Sequence, residues 1–450
     1  MNNIAIVGSG FKGIFDALLL SKNKNNNIVL YEKSNGFGGI SRSKQILGFN
    51  VDGGVHMFDS VQEEVYEIVN EIMSGQIHEI DFNSRSSYND VVTNGFGLPD
   101  LSSCDQFTKM KITHDLLKLA SNVDKSKHNI ANAYSLKDLL YARYGETAGQ
   151  IFSEIFKNIY HIDAEECDKY SLNRTSLGRL KYMEDEKMNV LKSNNYLDTI
   201  LAARRKSIGK IDDLVSFYPS DGNAMGGFCQ KTASLLKSRG VEIKLGTEII
   251  IKEKSGEFYI RDEKEERHFN HIYWAADKID PLLDSLKIEK SIDRKIYHTP
   301  MLFAVIKTER KYVQKFTYMQ NFSKNSLTFR SSASGVYSNQ INDKGETFIS
   351  VECPATYKFL TDFNPKETIE KIWKEVKDIN IIDSPANLLD YKLIPLKASF
   401  KVPTLGFSEV FKEVENEIGK YKNKVSLHSP KLFFRRELFE ECKNLTANYL

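Results

Sequence analysis

The chain opens with a short apolar run at residues 3–7, Asn-Ile-Ala-Ile-Val, that ends in glycine. Residues 13–21, Gly-Ile-Phe-Asp-Ala-Leu-Leu-Leu-Ser, suit a helix buried on one side. A polar, Asn-rich turn at 22–27 and a second apolar run at 28–31 follow. The pattern predicts strand, turn, helix, turn, strand. Residues 61–73 repeat apolar positions at intervals of three and four, which predicts an amphipathic helix. Further helices are predicted at 135–140, with Ser135 and Asp138 as a capping pair, and at 148–160. The stretch from about 60 to 205 reads as mostly helical, with a turn between short strands at 94–99. A Tyr-Pro-Ser-Asp-Gly turn at 218–222 leads into a helix through Leu236, then strands at 241–245, 249–252, 258–260 and 271–274. Residues 301–391 read as strand-rich, with runs at 302–306, 327–330 and 347–351. Runs at 397–403 and 425–427 lead into a C-terminal helix at about 436–449.

Composition narrows the class without naming a chemistry. With 450 residues, two or three domains are expected. The 62 basic and 60 acidic side chains leave a formal charge of +2, so there is no global pull toward nucleic acid. No apolar run approaches the roughly 20 residues of a membrane span, and the amino terminus does not read as a secretory leader. The five cysteines are scattered and form no CxxC, which points away from disulfides and zinc and toward a reducing cytoplasm. No GxSxG, HExxH or P-loop is present.

The candidate chemistry lies in the first sixty residues. Gly8-Ser-Gly10-Phe-Lys-Gly13 sits between the first strand and the first helix, and Glu32 ends the second strand. In that context the first glycine serves a tight turn, the second lets backbone approach a pyrophosphate, and the third lets helix and strand pack closely. The helix N-terminus offers free N–H groups to the anion, and Glu32 is placed to accept from adenosine ribose hydroxyls. The alternative is a glycine-rich turn in an unrelated α/β domain. A second glycine-rich stretch, Gly36-Phe-Gly38-Gly39-Ile-Ser41-Arg42, and a third, Gly53-Gly54-Val55-His56-Met57-Phe58, follow. A plain NAD domain has no need of them; a longer cofactor running beside bare main chain does.

These three motifs in this order resemble the two-dinucleotide-binding flavoproteins: amine oxidases, protoporphyrinogen oxidases, carotenoid desaturases and UDP-galactopyranose mutases. The resemblance implies an α/β chain with a Rossmann-like FAD-binding domain and an inserted helical and antiparallel-sheet substrate domain. It divides the chain into a discontinuous cofactor domain (1–75, 210–285, 395–450), a mostly helical region (76–209) and an antiparallel-sheet region (286–394). It implies FAD held by Gly8, Gly10, Phe11, Gly13, Glu32, Lys33, Gly38, Gly39, Ser41 and Arg42, with Gly54, His56 and Met57 near the isoalloxazine. Candidate catalytic residues are His56, Arg174, Arg330 and Tyr337, the arginines because a guanidinium fork suits phosphate. Tyr218 and Tyr318 are further pocket candidates.

The chain departs from the family pattern at two places. Where the mutases carry Gly-Arg before the last helix, it reads Leu427-His428-Ser429-Pro430, leaving Lys431, Arg435 or Arg436 to supply charge. Where they carry Tyr-Pro it reads Phe400-Lys401-Val402-Pro403, without the hydroxyl. The expected activity is FAD-dependent hydride removal from a nucleotide-linked sugar or related anionic glycan precursor. A non-redox isomerase using reduced flavin, an oxygen-using amine oxidase and a fold-retaining chain without FAD stay open. So does a homo-oligomer.

Overall fold

The computed structural model describes residues 1–80, 83–95, 97–203, 214–432 and 434–450. The opening pattern folds as strand Asn2–Val7, helix Phe11–Leu20 and strand Asn26–Tyr31. These join a five-stranded parallel sheet in the order Glu242–Lys244, Asn26–Tyr31, Asn2–Val7, His271–Trp274, Val425–Leu427. A parallel sheet needs cover on both faces, and the first strand is apolar on both. Ile4 and Ile6 pack into a core built with the helices Phe11–Leu20, Ala224–Ser238 and Arg435–Thr446. Ala5 and Val7 enter a second core, with Phe258 and Phe269 of an antiparallel three-stranded layer and with helix Phe407–Gly419.

The second lobe is a seven-stranded sheet ordered Asp390–Pro403, Ile296–Glu309, Glu346–Pro354, Arg330–Ser332, Tyr318–Asn321, Ser84–Tyr88, Val91–Asn94. Helix Pro365–Asp378 covers part of it through Ile369, Ile372 and Val376. The helical layer includes the 25-residue segment Leu136–Tyr160, opened by the reciprocal Ser135–Asp138 capping box. Among the described residues no helix is long and apolar enough to cross a membrane.

Several local expectations change. The stretch at 327–330 is a loop until Arg330, because the N–H groups of Leu327 and Thr328 donate to the Glu375 carboxylate instead of a neighbouring strand. The hairpin turn before 99 falls at Asn89–Asp90, both at positive φ, the backbone region where Asn and Asp are favoured. Phe96 of the turn expected at 94–99 and the boundary expected at 209–210 lie outside the described residues. The strand-rich stretch contains helix Pro365–Asp378, started by Asn364, whose side chain accepts from Lys366 and Glu367 N–H, with proline in the first turn.

Candidate dinucleotide and substrate site

The glycines of the first turn answer to sterics. Gly8 sits at φ +104°, and a Cβ there would lie 2.8 Å from Ala276 N. A Cβ on Gly13 would overlap the Gly8 carbonyl oxygen, so helix and turn touch only because it is absent. At Gly10 a Cβ would meet nothing within 4 Å, so space opens in front of the helix. That helix has no side-chain cap and no acid in its first turn. Its first N–H groups are therefore free to face an anion.

Glu32 reaches back to this turn. One carboxylate oxygen accepts from Ser9 N and Oγ at 2.9 and 2.7 Å, the other from Ser34 N and Oγ at 2.8 and 2.7 Å. Burial pushes its pKa up, but these bonds outweigh burial and hold it below the usual carboxylate range. The carboxylate is thus ionised and anchored, and its two serine hydroxyl partners are rotors that a sugar hydroxyl can replace. Gly39 backs onto Gly10, its Cβ position 3.1 Å from Gly10 Cα. Arg42 donates from Nε to Gly39 O at 3.1 Å. Ser41 is buried with its Oγ lacking a partner. Lys33 turns to solvent and pairs with Glu248, away from the turn, and the Met57 side chain is spent in the core. Neither side chain supports the cofactor-binding role expected for it.

A second group converges on His56. Glu352 accepts from Arg330 Nε and Nη2 at 2.9 and 2.7 Å, and the loop backs onto it at Gly54, whose Cβ position lies 3.1 Å from Glu352 Oε1. This bidentate pair ties the substrate sheet to the loop at 53–57. Arg435 lies over Phe11 and Phe58, its guanidinium 4.2 and 5.2 Å from the ring centres, and among the described residues its Nε has no partner. His56, Arg330 and Arg435 all keep some accessible surface deep between the lobes. Burial, then Arg435, then Arg330, push the His56 pKa down to about 3. At neutral pH the imidazole is therefore uncharged, suited to hydrogen bonding rather than to supplying a proton. Arg435 itself is lowered to about 10 by burial, against the pull of Asp52 and Asp59.

The remaining expected residues are distributed around this pocket. Tyr337 is buried, its ring edge-on to Tyr218 and its hydroxyl accepting from Ser332 Oγ at 3.1 Å. Tyr218 donates to Asp52, which also accepts from Ser43 Oγ at 2.6 Å. Both tyrosines act as packing and polar struts behind the pocket. Arg174 does not join Arg330. It donates to Pro430 O beside Lys12, whose Nζ donates to Ser429 O at 2.9 Å. Tyr160 touches both neighbourhoods: its hydroxyl donates to Arg174 O at 3.4 Å, and Arg330 and Glu352 lie within electrostatic reach. Of the three late cations, Arg436 is exposed and Lys431 sits on the rings of Tyr170 and Phe411. Only Arg435 turns inward. Lys12 lies inside the first motif, yet its spacing gives no hint of a partner in residue 429. Glu352 and Tyr160 carry no sequence signal at all.

A five-stranded parallel sheet with a glycine turn at its carboxyl edge, beside a large antiparallel sheet, is the architecture of a two-lobed dinucleotide-binding fold. Comparison with known proteins sharpens this. Residues 6–72 match the family model described as an NAD(P)-binding Rossmann-like domain. No curated protein matches the chain by sequence. Among solved structures the chain is similar to a reduced UDP-galactopyranose mutase at TM-score 0.74 and 14% identity, covering 100% of this chain and 95% of that one. It is similar to the proposed protoporphyrinogen oxidase of Exiguobacterium sp. 255-15 at TM-score 0.68 and 11% identity, covering 100% and 98%. It is also similar to cyclohexylamine oxidase from Brevibacterium oxydans IH-35A at TM-score 0.63 and 11% identity, covering 100% and 98%. The chain shares the fold of these structures over its whole length.

The site residues fit a dinucleotide of this kind. The open space before Gly10, the uncapped helix, the orphaned Ser41 Oγ and the orphaned Arg435 Nε are polar or bare main chain awaiting partners.

Proposed function

We propose that the chain is an FAD-dependent enzyme acting on a nucleotide-linked sugar or a related anionic glycan precursor. The observation that carries this reading is the glycine turn with its uncapped helix and anchored Glu32, together with the positive charge that Arg435 and Arg330 bring to bear on His56. Gly8, Gly10, Gly13 and Glu32 would hold the adenosine and diphosphate, with Gly38–Arg42 continuing along the chain of the cofactor. Bound FAD supplies a two-electron acceptor, so the oxidoreductase reading is hydride removal to flavin N5 from a carbon bearing OH or NH. Arg435, with an unpaired Nε, favours negative charge in the pocket. Arg330 is half neutralised by Glu352 and serves to orient rather than to add net charge. His56 offers a hydrogen bond without carrying a proton at neutral pH. Arg174, on the dinucleotide side with Lys12, belongs to diphosphate binding in this reading. Tyr337 is retained as a support of the pocket wall.

The test is an absorbance spectrum of the purified protein, then anaerobic titration with nucleotide sugars. Flavin bands that bleach on addition are expected. A preparation that stays colourless after incubation with FAD defeats the reading.

A second reading, a non-redox isomerase, is favoured by the mutase similarity over nearly the whole of both chains. Phe400 weighs against a faithful mutase: its ring lies edge-on to Tyr160, 5.6 Å away, with the Arg330 guanidinium over it, and it brings no hydroxyl to the pocket. Turnover that requires dithionite but leaves no net redox change selects this second reading.

A further inference from the structure

Helix Gln106–Ser121 carries an apolar stripe that stays exposed among the described residues. It buries Ile112 and Leu116 and leaves Phe107, Met110 and Leu117 at 65%, 60% and 54% exposure. These three lie at intervals of three and seven, on one face of the helix. Scattered exposed apolar residues need no explanation, but an aligned stripe of large ones does.

Lysines outnumber acids along this helix, whose N-cap Asp105 is spent on Thr108 N–H. The helix holds Lys109, Lys111 and Lys118, and its single acid, Asp115, is turned inward to accept from Thr147 N at 2.9 Å. Lys111 Nζ lies 4.4 Å from the Phe107 ring centre, so the cation rides directly on the apolar stripe. Beside the helix is a groove of about 340 Å³ whose lining includes Lys109, His114, Met183 and Lys187. Glu184 also lines it, and its carboxylate is 3.0 Å from Lys187 Nζ. On the neighbouring helix Asp185–Leu191, Val190 is exposed as well.

We infer that helix Gln106–Ser121 docks the protein on an anionic lipid bilayer surface. Phe107, Met110 and Leu117 enter the headgroup–acyl boundary, and Lys111 and Lys118 meet lipid phosphates. Large apolar tips beside lysines on one helix are what an interfacial helix requires. A protein partner for this stripe would have to be acidic and to bury three separate apolar tips. A bilayer supplies both properties along a plane, with no shape to match. The inference does not rest on the flavin reading.

The experiment is co-sedimentation of the full chain with vesicles of phosphatidylcholine alone and of phosphatidylcholine with phosphatidylglycerol. Binding is expected to the anionic vesicles, falling as salt rises from 0.1 to 0.5 M. At about 1 kcal/mol per lysine near such a surface, Lys111→Gln with Lys118→Gln should weaken binding by roughly 25-fold. Phe107→Ser, Met110→Ser and Leu117→Ser together should abolish it. These side chains are exposed, so circular dichroism and the melting temperature should be unchanged, which separates lost docking from lost folding. The inference is overturned if the wild type stays in the supernatant with anionic vesicles. It is also overturned if the wild type binds neutral vesicles equally, or if the triple serine variant binds like wild type. Self-association through this face without vesicle binding, seen by analytical ultracentrifugation, overturns it as well.

Discussion

His428 is the residue whose replacement tests the site's foundations most directly. It follows the last parallel strand and is fully enclosed. Its Nε2 lies 2.6 Å from Asp16 Oδ2 on the first helix, and its Nδ1 lies 2.9 Å from Glu441 Oε2 on the C-terminal helix. Burial alone would lower its pKa. The charge of Asp16 and the bonds to Asp16 and Glu441 win instead, and raise it from 6.5 to about 9. A shift of that size is worth about 3 kcal/mol. Because the folded value is raised, the stabilisation is complete below the unfolded value near 6.5 and is lost as pH climbs through about 9. His428→Gln keeps the volume but removes the cation, leaving two carboxylates without a positive partner, at a cost of roughly 3–5 kcal/mol near neutral pH. Denaturant unfolding should therefore show wild-type stability falling between pH 6.5 and 9.5, and a variant that is weaker at pH 6.5 but lacks that fall. Parallel pH profiles for the two proteins would mean that the imidazole is not charged in the fold, and the account of this junction would be wrong.

Other expectations follow from the same geometry. Glu32→Ala removes the acceptor of four hydrogen bonds at the first turn, and isothermal titration should find ADP affinity lowered at least tenfold while circular dichroism stays near wild type. Gly13→Ala drives a methyl into the Gly8 carbonyl, so a loss of roughly 1–3 kcal/mol or an insoluble product is expected, read by thermal melting. Asp52 is raised to about 6, chiefly by burial, with bonds from Ser43, Tyr218 and Met225 opposing. Its ionisation therefore works against the fold, so that part of the stability should rise as pH falls from 6 toward 4. Asp52→Asn should flatten that segment of the pH profile.

Much of the first lobe is legible because its signals are local. Glycines at 8, 10 and 13, two apolar runs and Glu32 lie within 32 residues, and each obeys a rule of turn, helix or strand. The pocket is less legible because its members come from distant segments. Arg330 reads as a cation on a strand, but its meaning depends on Glu352, its partner on the adjacent strand, and on the loop at Gly54 that backs onto both. Among Lys431, Arg435 and Arg436 the sequence offers no basis for choice. The choice is made by helical phase: position 435 begins the helix facing Phe11, whereas 436 points to solvent. Tyr337 is equally hard to read, since a tyrosine lining a site and one bracing its wall have the same local pattern; here its hydroxyl accepts from Ser332 and its ring packs on Tyr218.

The turn at the C-terminal end of the parallel sheet draws its charge from elsewhere in the chain. The turn at 428–430, His-Ser-Pro, holds neither glycine nor arginine, and Pro430 contributes no N–H. In this chain the turn is instead clamped from behind by His428 and faces forward with carbonyls, Ser429 O to Lys12 and Pro430 O to Arg174. The cations that reach the edge of the parallel sheet are thus borrowed from the first helix and from the helical layer, and are held by main-chain oxygens rather than by carboxylates. A cation whose partner is a carbonyl keeps its full charge for a diphosphate, whereas one paired to an acid does not. Under the proposed function, buried His428 therefore governs the diphosphate-facing edge indirectly, through Asp16 and Glu441. Its replacement should weaken ADP binding more than adenosine binding, a difference that simple loss of stability would not produce.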